Sequence, residues 1–388
     1  MLTPYDEYPV HQTAYPINRL PSTDLLWSEG YWDQIYRESG DYVLYIWKRM
    51  FPNSDVIDAS VGLMYDGGRH YYVHLSRQLR PNWDLNVGPL KHTFVEPFRE
   101  VNFALGDNDS DVSFDLTFLA TAPPFEEAHH RAERWGRVIN DQTRITQIGT
   151  GRGWIDFRGE RIEVDTDSWT ACRDHSWGIY AQNRWSPLGP SVREFMPPPE
   201  PQEHRFAMRF WALVNFGDHS AFYGWHESSE GKVVEMNEMF GTPFEGRVDY
   251  GFGEKRDPIK LVDVKHDLQY EPNTRILKSG RLQLTDEHGQ QREHEFHRIA
   301  APQRPDISNW TDGQGQGVYR GPLAFETFEA DLRKQPTELT LPDGTVWANA
   351  TGAENVCEFI ERSDEGESRG VGNIEFVLVG PYAPYGWE

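Results

Sequence analysis

The sequence predicts a nearly all-β protein with two similar barrel-like halves, and three observations carry that reading. Short runs rich in β-branched and aromatic residues, broken by Gly, Asn, Asp and Pro, recur along most of the chain at intervals of roughly ten residues, a spacing typical of sandwiches and barrels. Aromatic residues make up 13% of the chain, as 14 Trp, 17 Tyr and 21 Phe. Such side chains favour strands and line cavities for apolar or ring-shaped ligands, and they serve equally to fill two cores. A length of 388 residues is comfortable for two domains and buries a substantial core without metal or disulfide staples.

The clearest strand runs are Tyr42–Trp47, Tyr71–Leu75, Val112–Leu119 and Arg161–Val164, then Arg205–Phe216, Ala221–Trp225, Ile276–Leu284, His294–Ile299 and Asn373–Val379. Asp66-Gly67-Gly68 and Asp343-Gly344 read as hairpin turns. Gln147 to Ile155 and Phe157 to Ile162 read as two short strands around tight glycine turns. Helical signal is sparse: one or two turns over Tyr31 to Tyr36, and a short candidate over Phe125 to Arg137. Pro187 to Pro201 holds six prolines and is a loop, either a lid or a surface excursion, since it suits neither helix nor regular sheet. The chain divides near residue 170, which predicts an N-terminal half of residues 1–169 and a C-terminal half of residues 170–388.

A net charge of −23 argues against nucleic acid or an anionic membrane surface as partner. No run approaches the ~18 apolar residues of a membrane span. The start, Met1 to Glu7, has neither a basic region nor an apolar one, so a cytoplasmic location is the expectation. Cys172 and Cys357 show no ligand spacing and are expected to be reduced, buried thiols.

The segment Arg173-Asp174-His175-Ser176-Trp177-Gly178 packs five functional side chains into six residues. On a strand, Arg173, His175 and Trp177 face one side while Asp174 and Ser176 face the other. His175 and Trp177 then present an imidazole and an indole to one cavity, where Trp can stabilise positive charge and His can relay a proton. The same pattern also suits a buried structural pair.

The segment resembles the Asp-His-x-Trp-Gly signature of the lipocalin-like superfamily of carotenoid hydratases (hydroxyneurosporene synthase), tocopherol cyclase-like proteins and related bacterial proteins. Gln147-Ile148-Gly149, Gly153-Trp154-Ile155 and Gly159-Glu160-Arg161-Ile162 are similar to the glycine-punctuated run that leads into it. Phe114 to Phe118 with Pro123-Pro124, and Gly370 to Phe376 near the end, resemble further strands of that superfamily.

The resemblance implies an all-β fold of two lipocalin-like antiparallel barrels packed together, with few short helices and an apolar cavity near their junction. The second barrel would begin at the Asp-His-Ser-Trp-Gly segment. The resemblance also implies a chemistry in which a carboxylic acid protonates an alkene and aromatic side chains shelter the carbocation. A carboxyl whose pKa is raised by burial suits that task, because alkenes are very weak bases.

Asp174, His175 and Trp177 match the signature directly. The strand around Phe210 to Asp218 lacks the Tyr-x-Asp pair that the resemblance places there, and Asn215 shares the face of Trp211. Asp218, Glu227 or Asp174 itself is then the candidate acid, with Tyr223 as a proton donor or hydrogen-bond partner. Trp211, Asn215, Arg173, Trp225 and Trp185 are the candidate substrate-contacting side chains.

Other patterns carry less. Adjacent His129 and His130 point apart on a helix, and His294 and His297 fall on opposite faces of a strand, so neither pair predicts a metal site. Gly313 to Gly317 lacks the strand and helix of a phosphate loop. The expectation is therefore an enzyme working without metal or organic cofactor on a terpenoid, steroid-like or aromatic molecule by hydration, dehydration, isomerisation or cyclisation. A non-catalytic hydrophobe-binding protein and a carbohydrate-active protein with paired carboxylates are the alternatives. A homo-oligomer is compatible with either.

Overall fold

The computed structural model describes residues 2–9, 20–25, 27–134, 137–180, 207–234, 244–303, 310–333, 338–340, 346–348 and 353–387. In chain order the first strands are β1 (Trp27–Arg37), β2 (Val43–Phe51), β3 (Val56–Tyr65), β4 (Arg69–Gln78), β5 (Leu90–Glu96), β6 (Glu100–Leu105) and β7 (Val112–Ala120). There follow β8 (Phe125–Glu126), β9 (His130–Arg134), β10 (Arg137–Phe157), β11 (Glu160–Val164) and β12 (Trp169–Tyr180). After these come β13 (Met208–Asn215), β14 (Ser220–Glu227), β15 (Phe244–Asp249), β16 (Ile259–Tyr270), β17 (Leu277–Asp286) and β18 (Gln291–Arg298). The last are β19 (Leu323–Asp331), β20 (Glu338–Thr340), β21 (Val346–Ala348), β22 (Ala353–Ser363) and β23 (Gly366–Leu378).

The two halves differ in how they close. Strands β13 to β18, with β22 and β23, form a closed antiparallel barrel. The first sheet runs β19-β4-β3-β2-β1-β12-β10-β7-β6-β5 and curls on itself. Contacts across its lumen show the curl: Lys48 of β2 reaches the carbonyl of Lys91 on β5, and Tyr31 of β1 packs edge-on against His92 of β5 at 5.3 Å. The fold is all-β, two barrels packed together.

Each interior is filled by its own strands. Leu44, Val61, Phe103, Leu116, Phe118 and Trp169 are among those in the first core, and Phe210, Tyr223, Trp225, Leu282, Phe296 and Phe359 among those in the second. A third cluster joins the halves, with Trp32, Tyr36, Ile148 and Cys172 of the first sheet against Trp211, Leu213, Phe222 and Val356 of the second. Burying a large apolar side chain there contributes about 1.5–3 kcal/mol.

This sandwiching explains where the sequence misleads. Tyr31 to Tyr36 lies within β1, not in a helix. Every residue of β1 but the last is buried, because one face fills the first core and the other packs at the junction. The two-residue alternation that identifies a strand is erased. Phe125 to Arg137 likewise contains β8 and β9, short strands paired along β10. The expected pair of strands over Gln147 to Ile162 is present as β10 and β11, joined by the turn at Arg158-Gly159, but β10 is far longer than expected, at 21 residues.

The division near residue 170 does not follow sheet membership. β12, which carries Asp174 and His175, is hydrogen-bonded between β1 and β10 at the centre of the first sheet. β19 also returns, after most of the second barrel, to pair with β4. Asp343-Gly344 and the proline-rich stretch lie outside the described residues. Cys172 and Cys357 are both buried and free.

Candidate functional site at the barrel junction

β12 separates the signature residues by the pleat. Arg173, His175 and Trp177 point into the first barrel, and Thr170, Cys172, Asp174 and Ser176 point toward the second. Gly178, paired with Ser28 on β1 and Gln142 on β10, has a φ of +124°, and a Cβ there would collide with the carbonyl of Asp141 on β10. Glycine is therefore required by close backbone approach as well as by conformation.

Inside the first barrel the polar side chains are locked. His175 Nε2 donates to Glu29 Oε1 at 2.8 Å, and its ring stacks on Tyr31 at 4.0 Å and tilts against Trp177 at 4.9 Å. Arg173 donates to both carboxylate oxygens of Glu7 at 2.6 Å and to Gln147 Oε1. Glu7 also accepts from the backbone N–H of Phe98. Burial would raise the Glu7 carboxyl, but the Arg173 guanidinium overrides it and holds the group below its usual range.

The other face of β12 opens on a different environment. Asp174 Oδ2 lies 3.8 Å from Arg144 Nε, and Arg144 Nη1 lies 4.0 Å from Glu127 Oε2. Trp211 Nε1 donates to Glu127 Oε1 at 2.8 Å, and the Ala128 N–H donates to Glu245 Oε2 at 2.7 Å. From the second barrel, Arg209 donates to Glu375 at 2.7 Å, and Asn373 donates to Glu354 at 2.5 Å. Asp174, Glu127, Glu245, Glu354 and Glu375 thus share Arg144 and Arg209.

Too few positive charges and little water push most of these carboxyls up. Burial, then the neighbouring charge of Glu127, raises Glu245 to about 8. Burial, then Glu375, raises Glu354 to about 8. Burial also raises Asp174 and Glu127, against the pull of Arg144. Glu375 moves the other way: burial would raise it, but the Arg209 guanidinium bonded to it lowers it. The adjoining seam is aromatic, with Trp32 edge-on to Trp211 at 6.3 Å and Phe125 against Phe222 at 4.3 Å. Such an array can hold a proton near neutral pH beside rings that tolerate positive charge.

The predicted residues are not one constellation. Asp174 and Trp211 meet at the junction, whereas His175, Trp177 and Arg173 occupy the first barrel. Tyr223 and Trp225 lie inside the second barrel, where Tyr223 Oη donates to His294 Nδ1 at 3.1 Å and Trp225 Nε1 donates to Glu227 at 2.8 Å. Asp218 is 72% exposed at the β13–β14 turn, bonded to His219. Asn215 lines a separate cleft of about 610 Å³ at the opposite edge of the junction, with Glu38, Thr150, Glu358 and Arg369. Trp185 lies outside the described residues.

Sequence reading missed Glu127, Arg144, Arg209, Glu245, Glu354 and Glu375. They come from six separate segments and share no local spacing, so only folding assembles them. Alternation along Arg209-Phe210-Trp211 and Asn373-Ile374-Glu375, with charge on the face opposite the core, is the one signal that marks part of the set. Among the described residues no group of His, Cys, Asp and Glu has metal-site geometry, and no helix is long and apolar enough to cross a membrane.

Fold and junction together define a class of all-β protein built from two packed barrels. The chain belongs to the family of unknown function DUF8625, whose model matches residues 2–388. No curated protein matches it. Among solved structures it is similar to a Nitrosomonas europaea protein designated AttH, with a TM-score of 0.52 and 12% identity over 95% of this chain and 98% of that one. It is also similar to CghA in complex with Sch210972, with a TM-score of 0.48 and 10% identity over 92% and 89% of the two chains. Kievitone hydratase from Nectria haematococca gives a TM-score of 0.45 and 11% identity over 90% and 88%. The first of these shows a shared fold.

Proposed function

We propose that this chain is an enzyme that acts on a hydrophobic small molecule, of terpenoid, steroid-like or aromatic class, by acid–base chemistry at the barrel junction. The observation that carries this reading is the set of five carboxyls around Arg144 and Arg209, set against the Trp32–Trp211 seam. The filled interiors of both barrels support placing the ligand between them and not in a lipocalin-style calyx.

In this reading Asp174 faces the substrate. Glu245 holds the proton that an alkene or carbonyl would receive, since burial and the charge of Glu127 both raise its carboxyl. Arg144 keeps the conjugate base in place after transfer. Trp211 and Trp32 offer their faces to developing positive charge without trapping it as a nucleophile would. His175 is a positioning residue: through Glu29 and Tyr31 it fixes β12 from behind and so sets where Asp174 points.

Native mass spectrometry of the purified protein identifies a co-purifying ligand, and conversion of that compound is then compared for wild type, Asp174→Asn and Glu245→Gln. Conversion by wild type with loss of at least ~100-fold in the variants is the expected result. Binding without conversion in wild type would move the chain to the hydrophobe-binding class. Full conversion by both variants would remove the junction as the site.

A further inference from the structure

We propose that His219 is a pH-sensitive latch on the cleft at the far edge of the junction. As an imidazolium it holds the β13–β14 turn against β22, and loss of its second proton releases that turn. The proposal is independent of the junction reading, since none of the carboxyls or arginines assigned there takes part.

The turn runs from Phe216 to His219 and supplies one wall of the cleft of about 610 Å³. Asn215, Phe216 and Gly217 share its lining with Glu38 and Thr150 from the first half of the chain. The backbone is closed by the bond from the Phe216 N–H to the His219 carbonyl at 2.9 Å, and Gly217 passes through with a φ of +90°. Asn215 Oδ1 accepts from the Gly217 N–H at 3.0 Å. The His219 ring is the anchor of this turn: it is buried and stacks on Phe216 at 4.7 Å, with the planes 13° apart.

Both ring nitrogens face carboxylates. Nδ1 lies 2.7 Å from Asp218 Oδ1, and Nε2 lies 3.3 Å from Glu361 Oε1 on β22. A neutral imidazole has one N–H, so it must turn a lone pair toward one of the two carboxylates, whereas the imidazolium presents an N–H to each. Glu361 cannot swing away to relieve that clash, because Arg292 at 2.9 Å and His294 at 2.8 Å tie it to β18. The other groups around the ring are already engaged. Tyr250, after β15, packs on it at 6.2 Å, accepts from Arg292 and lies under Arg256. Asp249 on β15 is bonded to Arg247, Tyr223 to His294, and Arg292 lies 3.8 Å from Glu365. With His219 charged, it and Arg292 balance Asp218 and Glu361; without its proton the set is one positive charge short. Burial alone would lower the ring, but Glu361 and then Asp218 override it and raise it above the usual histidine value.

A histidine raised by folding contributes stability that is complete below its unfolded value, near 6.5, and is lost as pH rises through the folded value. The loss is local. Asn215, Phe216 and Gly217 loosen with the turn, so the cleft changes shape as pH rises above the usual histidine range. Strands β13 and β14 keep their ladder, since their pairing from Met208 with Glu227 to Asn215 with Ser220 does not involve the ring.

The test is hydrogen exchange of the full chain at about pH 6 and about pH 9, scaled for the intrinsic rate at each pH, with the His219 ring followed by nitrogen NMR. Protection of the Phe216 and Gly217 amides is expected to fall about tenfold or more between the two, while β17 in the same barrel holds its protection. The ring should be doubly protonated at pH 6 and lose its second proton over the range in which the turn loosens. His219→Gln should give the low protection at both pH values. A neutral ring at pH 6 would overturn the proposal, and so would equal protection of the turn at the two pH values. Wild-type pH dependence retained in His219→Gln would overturn it too. A loss shared equally by β17 would report global destabilisation by groups such as Glu245, and the latch would fall. The wild-type ring and turn amides decide the matter even if the variant fails to fold.

Discussion

Asp174 and His175 are consecutive on β12, yet Asp174 faces the junction 3.8 Å from Arg144 while His175 faces the lumen of the first barrel, 2.8 Å from Glu29. One strand therefore serves two environments. Substitutions at the two positions should separate accordingly, into chemistry and stability.

At Asp174 the change to Asn keeps size and removes charge. It should lower conversion of the co-purifying ligand by at least ~100-fold. The melting temperature should move little, because the side chain is partly exposed and its ion pair is long. A melting curve recorded beside the conversion assay checks both halves of the claim.

At His175 the expectation reverses. His175→Ala removes the stacked ring from Tyr31 and the 2.8 Å hydrogen bond to buried Glu29. The cost should be about 3 kcal/mol, combining the lost packing with the loss of a hydrogen bond to a buried carboxylate. Urea denaturation measures it. A stability unchanged from wild type would show that His175 does not anchor β12.

The Glu7–Arg173 pair ties residues near the start of the chain into the first barrel by two 2.6 Å bonds. Glu7→Gln leaves Arg173 buried and uncompensated, and should destabilise by about 3–5 kcal/mol. Its pH dependence has a definite sign. A carboxyl lowered by folding adds stability above its unfolded value, near 4.5, and loses it as pH falls toward the folded value. Wild type should therefore lose stability below about pH 4.5, and Glu7→Gln should lose less there.

Glu245 has the opposite sign. A carboxyl raised to about 8 by folding makes the native state bind the extra proton between its unfolded value, near 4.5, and about 8. Stability should fall as pH rises through that window and level off above it. Glu245→Gln should flatten this slope, which denaturation at pH 6 and pH 9 would reveal. In wild type, conversion at the junction should also decline above about pH 8, as the proton held there is lost.

How much of this was legible in the sequence differs from element to element. Runs such as Tyr71–Leu75 and Ala221–Trp225 lie in β4 and β14, where β-branched and aromatic side chains identify strands without help from neighbours. Tyr31 to Tyr36 did not, because a strand buried on both faces carries no alternation to read. At the site, the pleat alone placed Arg173, His175 and Trp177 on one face and Asp174 on the other. What each face meets is set by distant strands, and Tyr223 lies inside the second barrel, away from both faces of β12.

The two packed barrels were what the resemblance implied, while residue order alone established an all-β protein and drew notice to the segment from Arg173 to Gly178. Those properties rest on local preferences and on the two-residue repeat of a strand, which act over neighbouring residues. Tertiary structure alone set β12 at the centre of the first sheet, returned β19 to that sheet, and assembled the carboxyls around Arg144 and Arg209. The physical reason is that burial and charge coupling act through space. Residues as far apart as Glu127, Asp174 and Glu354 change one another's protonation only when folding removes the water between them.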